Sequence, residues 1–162
     1  MLEVFNDKLM KAVNVIIVIS CAFLVTCITL QILTRFILKI PMPWTEEYSR
    51  YTFVWLSMFG SVKAIREKSH IFVDILEVAI KGRIALYSGV LADIISMTFF
   101  CVLLYVSVPW TIRSFGVNTE SIPAISLGVF YLAIPVAAAL MLLFNIEVLM
   151  KRLKTPLTEK GE

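Results

Sequence analysis

Pro43-Trp44-Thr45-Glu46-Glu47-Tyr48-Ser49-Arg50 opens the stretch that decides the fold, and Lys63-Ala64-Ile65-Arg66-Glu67-Lys68-Ser69-His70-Ile71-Phe72-Val73-Asp74 closes it. Between Arg50 and Lys63 no residue is charged. Those dozen residues, at 1.5 Å rise each, give roughly 18 Å of helix, short of the ~30 Å hydrocarbon layer. Such a segment spans when its end charges snorkel or pair with neighbouring helices. Charges placed this close to a bilayer point to a role at both of its faces.

Outward from this stretch, the chain is gathered into long apolar blocks. Of its 162 residues 59% are hydrophobic and 17% charged, with mean hydropathy +0.88. That places it among polytopic membrane proteins, an all-α fold in one integral-membrane domain over residues 1–162. Basic residues flank the apolar blocks and form no soluble basic face, which gives nucleic-acid binding no support. Cys21, Cys27 and Cys101 sit inside apolar blocks without a C-x-x-C pair, as small packing residues do.

Four crossings are expected. The first, 12–35, follows Lys8 and Lys11; it is too long for a signal-peptide core and no small-x-small cleavage site follows. Pro41 and Pro43 break it. Thr45 is then the expected N-cap of a second helix, 45–66, with Glu46 and Glu47 in the dipole-favoured first turn. Over 70–81, Ile71, Phe72, Ile75, Val78 and Ala79 recur at helical spacing opposite His70, Asp74, Glu77 and Lys81. This predicts a short amphipathic helix in the interface, stopped by Gly82. A third crossing is expected over 84–112 and a fourth over 124–150, the latter with Pro135 inside.

With these crossings, one side holds Lys8, Lys11, Lys63, Arg66, Lys68, Lys81, Arg83, Lys151, Arg152, Lys154 and Lys160. The other holds only Arg35, Lys39, Arg50 and Arg113. Eleven against four puts both termini in the cytoplasm and the 43–47 and 113–123 connections outside.

Asp93 is the most expensive residue, about 15 Å along its helix from Arg83. A lone carboxylate makes a poor proton relay, and aligning helices by depth brings Lys63 within about a turn. The expectation is a structural Asp93–Lys63 pair. Glu46, Glu47 and Arg50 fall at helical pair spacing, and Trp44 suits an interfacial anchor. They form either a surface ion pair or an outward patch for a partner. His70, the one histidine, heads the amphipathic segment and suits a cap better than a metal. No nucleophile–base pair, phosphate loop or metal cluster is spelled out, so the reading is neither an enzyme nor a cofactor protein.

Trp44-Thr45-Glu46-Glu47-Tyr48-Ser49-Arg50, Gly60, Arg66 and His70-Ile71-Phe72-Val73-Asp74 together resemble a W-x-E-E-x-x-R … H-I-x-V-D signature. That signature belongs to the small, DctQ-like membrane subunit of tripartite ATP-independent periplasmic (TRAP) transporters. Tyr131-Leu132-Ala133-Ile134-Pro135-Val136 is similar to that family as well. The resemblance implies a scaffold subunit in a bacterial inner membrane, surrounded by lipid, with Trp44, Glu46, Glu47, Arg50, His70 and Asp74 as motif or subunit-interface residues. It implies two partners: a large multi-spanning transport subunit that holds the sodium and substrate sites, and a periplasmic binding protein. The substrate class it implies is an organic acid such as sialic acid or a C4-dicarboxylate. Arg35, Lys39, Arg113 and Glu120 are the expected docking charges for the binding protein. The rival reading is a self-sufficient four-helix proton-coupled transporter that uses Asp93.

Overall fold

A computed structural model describes the backbone of residues 2–79 and 83–154, and side chains over 6–67, 87–150 and 152. All of its elements are helical: α1 (Leu2–Ile32) with a π-helical end (Leu33–Leu38), α2 (Pro43–Ala79), α3 (Arg83–Ser114), α4 (Leu127–Tyr131) and α5 (Ala133–Lys154). No strand occurs among the described residues; Asn118 and Ser126 make a single isolated bridge. Three segments are long and apolar enough to cross a membrane, Asn6–Leu38, Tyr87–Ser114 and Leu127–Met150. α2 falls short of that apolarity because charge crowds both of its ends.

The helices do not sit in chain order. α2 lies between α1 and α5, and α3 packs on the far side of α5, with little contact to α2. Val13, Phe59, Val62, Ala133, Ala137 and Phe144 fill the shared core. Small residues on α5 let it approach both neighbours, as membrane helix packing favours.

Several boundaries differ from the sequence reading. α1 starts at Leu2, ten residues before the expected 12–35 helix, since nothing in Leu2–Lys11 breaks a helix. α2 begins at Pro43, whose missing N–H and fixed φ suit a first helical position. Thr45 is therefore not the N-cap: it lies inside the first turn, fully buried, with its hydroxyl donating to Met42 O at 2.7 Å. The expected gap between 45–66 and an interfacial helix over 70–81 is absent. The helix runs unbroken through Arg66 and His70 to Ala79, because the hydrophobic pattern changes there without a Gly or Pro to end the helix. Residues 80–82 and the side chains of His70 and Asp74 lie outside the described residues.

The expected 124–150 helix is two helices. Pro135 has no N–H for the carbonyl of Tyr131, and the ladder breaks at Leu132. The freed Tyr131 carbonyl accepts a hydrogen bond from the buried Thr111 hydroxyl of α3 at 3.3 Å. In lipid such a carbonyl needs a partner. Thr111→Val should thus cost about 1 kcal/mol, read as a fall of about 2–4 °C in the unfolding midpoint in detergent. Thr111→Ser should restore it; equal midpoints for the Val and Ser variants would count against the role.

Candidate functional site

The end of the bundle that carries the 43–47 and 113–123 connections is a cap that Glu47 builds. Its place just past the first turn of α2 points the carboxylate at the connection between α3 and α4. Oε1 accepts from the Glu120 amide at 3.1 Å and Oε2 from the Ser121 amide at 2.8 Å, while the Tyr51 hydroxyl donates to Oε1 at 3.0 Å. A carboxylate taking two backbone amides is a tight clamp. The hydrogen bonds from Ser121, foremost, with those of Glu120 and Tyr51, pull the Glu47 carboxyl below its ordinary range, against a partial loss of hydration.

The clamped loop is itself folded. Thr119 is buried; its amide donates to Ile125 O and its hydroxyl to Ile122 O. Ser126 caps α4 by accepting from the Gly128 amide at 3.2 Å, and its hydroxyl lies 3.0 Å from the Phe115 carbonyl. Phe115 sits against Gly128 so closely that a Cβ there would stand 2.8 Å from the Phe115 Cα, which makes glycine obligatory. Below the loop, Tyr51 stacks on Phe130 at 4.6 Å, with Tyr48 edge-on to both.

Because the Glu47 carboxyl is depressed in the fold, its clamp is at full strength above the unfolded carboxylate range. The clamp is lost as pH falls through the lower folded value. The protection of the Glu120 and Ser121 amides, their exchange rate relative to that of an unstructured chain at the same pH, should therefore fall on acidification below the unfolded carboxylate range. In Glu47→Gln that pH step should vanish.

Trp44, Glu46, Arg50, Arg35, Lys39, Arg113 and Glu120 are all exposed around this cap. Glu46 and Arg50 pair with each other at 3.4 Å. Arg113 closes α3 and Glu120 rides on the clamped loop, so the expected docking charges share one face with it. Glu46 and Glu47 part company: the first faces out and the second turns inward.

The Asp93–Lys63 pair is not formed. Lys63 joins Glu67 of its own helix at 3.6 Å, and Asp93 meets Arg152 Nη1 at 3.3 Å, with side-chain exposures of 14% and 12%. α3 packs on α5 and not on α2, so depth alignment picked the wrong neighbour. Arg152 lies two residues from the α5 end, and side chains lean toward a helix N-terminus, which sends it back into the bundle. It passes directly over Gly89, where a Cβ would clash with the guanidinium at 1.7 Å.

Sequence reasoning also missed a knot at the opposite end of the bundle. Arg66 donates to the Asn6 carbonyl at 2.7 Å, pairs with Asp7 and lies 5.2 Å over the Phe144 ring; Asn6 donates in turn to Glu147. It ties α1, α2 and α5 together. Among the described residues no cluster of three or more metal-ligating side chains occurs. A shallow open crevice between Phe23, Trp55 and Phe130 is almost wholly apolar.

Residues 24–155 match the family described as "Tripartite ATP-independent periplasmic transporters, DctQ component". The chain is similar to the sialic acid TRAP transporter permease protein SiaT of Haemophilus influenzae (strain 86-028NP), with 31% identity over 117 residues, 69% of this chain and 18% of that protein. It is similar to the isethionate TRAP transporter permease protein DctMQ of Oleidesulfovibrio alaskensis, with 31% identity over 100 residues, 60% of this chain and 16% of that one. A putative TRAP transporter small permease protein of Haemophilus influenzae (strain ATCC 51907) is 32% identical over 66 residues, 41% of either chain. The chain thus spans less than half the length of each of these relatives.

Proposed function

This chain belongs to the DctQ component family of tripartite ATP-independent periplasmic transporters, and from that membership we propose that it is the small scaffold subunit of a sodium-coupled importer. Its cargo is an organic anion, a sialic acid or isethionate as its relatives' names carry, or the C4-dicarboxylate that the resemblance implies. It holds a long permease component in the bacterial inner membrane and offers its outer cap to a periplasmic binding protein. Sodium and substrate bind on the long component.

One observation carries the scaffold reading: the strongest polar contacts join helices to each other. Glu47 fixes the outer loop to α2, and Arg66 fixes α2 to α1. The residue set 51–62 of α2, flanked by α1 and α5, supplies the fourth crossing. An even number of crossings keeps both termini on the basic, cytoplasmic side. The rival proton-coupled exporter would need a carboxylate free to cycle, whereas Asp93 is engaged by Arg152.

Proteoliposomes test this. Uptake should require this chain, the long component and the binding protein together, and should rise with an imposed sodium gradient. Proton-driven transport by this chain alone, abolished in Asp93→Asn, would overturn the proposal. The docking half has its own test. Rim charges chiefly set association rate and weaken with salt. Arg113→Glu or Glu120→Lys should slow uptake several-fold at low binding-protein concentration and recover in part at high concentration; an unmoved titration places docking elsewhere.

A further inference from the structure

Lys8 and Lys11, near the start of α1, are cations that the bundle does not use. Arg66 takes Asp7, Lys63 takes Glu67, Arg152 takes Asp93, and the Glu147 carboxylate accepts from Asn6. Lys8 and Lys11 are exposed and have no ion-pair partner among the described residues. They head a stripe. Lys8, Ala12, Val15, Ile19 and Phe23 follow at steps of four and three residues, so they share one side of α1, and Lys11 stands at its edge. All of them are exposed.

At its far end the stripe runs into the crevice between α1, α2 and α4, where Ile19 and Phe23 stand with Trp55, Val129 and Phe130. Thr52 shares that wall but turns its hydroxyl back to the Tyr48 carbonyl at 2.8 Å, which leaves an apolar surface. The crevice holds about 200 Å³, below the roughly 300–1,000 Å³ of pockets for compact small molecules. A helix, about 10–12 Å across with its side chains, would ride over it. A slender hydrocarbon chain is the apolar group of the right shape.

Depth joins the two features. From Lys8 to Ile19 the helix rises roughly 16 Å, and one leaflet is about 15 Å of hydrocarbon, half of the ~30 Å layer. A phosphate held by snorkelling lysines at one end of the stripe therefore puts the tail of its own lipid at the other.

We infer that Lys8 and Lys11, with the crevice of Ile19, Phe23, Trp55 and Phe130, form a binding site for one anionic glycerophospholipid. Its phosphate lies on the lysines and one acyl chain lies in the crevice. The site requires no cargo, permease or binding protein, and so goes beyond the function proposed above. A lysine beside an anionic lipid surface is worth about fivefold in affinity, so the pair should give at least a ~10-fold preference over a zwitterionic lipid.

Trp55 reports on the crevice. Trp44→Phe with Trp110→Phe leaves it the sole tryptophan, and both replaced side chains are exposed. The full chain is placed in phosphatidylcholine vesicles. A small, equal fraction of either phosphatidylglycerol or phosphatidylcholine carries bromine, a short-range quencher, near the ends of its acyl chains. Brominated phosphatidylglycerol should quench Trp55 with an apparent association constant at least ~10-fold that of brominated phosphatidylcholine. Lys8→Gln with Lys11→Gln should bring that ratio below about twofold. The unfolding midpoint should stay as it was, since neither lysine pairs within the bundle. Lys8→Arg with Lys11→Arg should keep the ratio. A chain whose sole tryptophan is Trp110, 62% exposed near the other end of the bundle, should show no such preference. Equal quenching of Trp55 by the two lipids, or a preference that survives loss of both lysines, would overturn the site. So would the same preference at Trp110, which marks diffuse attraction to a cationic protein. A Trp55 that neither lipid quenches would overturn it as well, and would give the crevice to a second copy or another protein segment.

Discussion

Arg152→Met should lower the unfolding midpoint in detergent by about 10 °C, the effect of breaking a buried ion pair at about 3–5 kcal/mol. The pair sits between α3 and α5, each side chain almost enclosed. Losing Arg152 strands the Asp93 carboxylate inside the bundle, with no water to replace its partner. Asp93→Asn should cost less, because Arg152 is two residues from its helix end and can swing to the interface. Uptake by the assembled transporter should survive in Asp93→Asn. Gly89→Leu should resemble Arg152→Met, since any side chain at 89 occupies the path of the guanidinium. Replacing both charges, Asp93→Leu with Arg152→Leu, should return most of the lost stability, as apolar substitutes for buried pairs commonly do. Thermal unfolding of the four variants, run beside uptake, checks the set. An Asp93→Asn variant of normal stability with no uptake would show that the carboxylate takes part in transport.

The same pair marks where sequence reasoning stops. Asp93 was legible as an intramembrane carboxylate needing a cation, but its partner was chosen by depth among helices assumed to be neighbours. That assumption fails because α5 intervenes between α2 and α3. A usable signal was present. Gly89 lies one turn before Asp93 on the same face, and glycine there marks a close approach. The break at Pro41 and Pro43 was legible because proline removes a hydrogen bond wherever it stands, and Pro135 carried the same signal although the 124–150 helix was expected to run through it. The absent gap between Arg66 and His70 was not, because a shift from apolar to amphipathic pattern changes a helix's surroundings without ending it. The knot at the opposite end joins Asn6 to Glu147 across 141 positions, a pairing set only by packing. Glu46 and Glu47 both lie at pairing distance from Arg50, so spacing alone did not separate them. Tyr51, four residues after Glu47, proves to be the mark of the inward one.

That separation gives the second large effect. Glu47→Lys should remove the acceptor of the Glu120 and Ser121 amides and put a positive charge against them. Hydrogen bonds to a charged group are worth about 1.5–3 kcal/mol each; at this partly solvated rim a total of about 3 kcal/mol is expected. The midpoint should fall by about 6–12 °C, and the loop bearing Glu120 should lose its fixed position. Because Glu120 rides on that loop, uptake should drop even at saturating binding protein, unlike the rim reversals, which saturation rescues in part. Glu46→Lys is the contrast. Its pair with Arg50 is exposed and worth no more than about 1 kcal/mol, so its midpoint should barely move. Two adjacent glutamates then differ in weight: Glu47 holds the cap, and Glu46 only its surface pair with Arg50. Unfolding midpoints measured for both reversals decide the matter. A Glu47→Lys protein as stable as the unaltered chain would remove the clamp from the account.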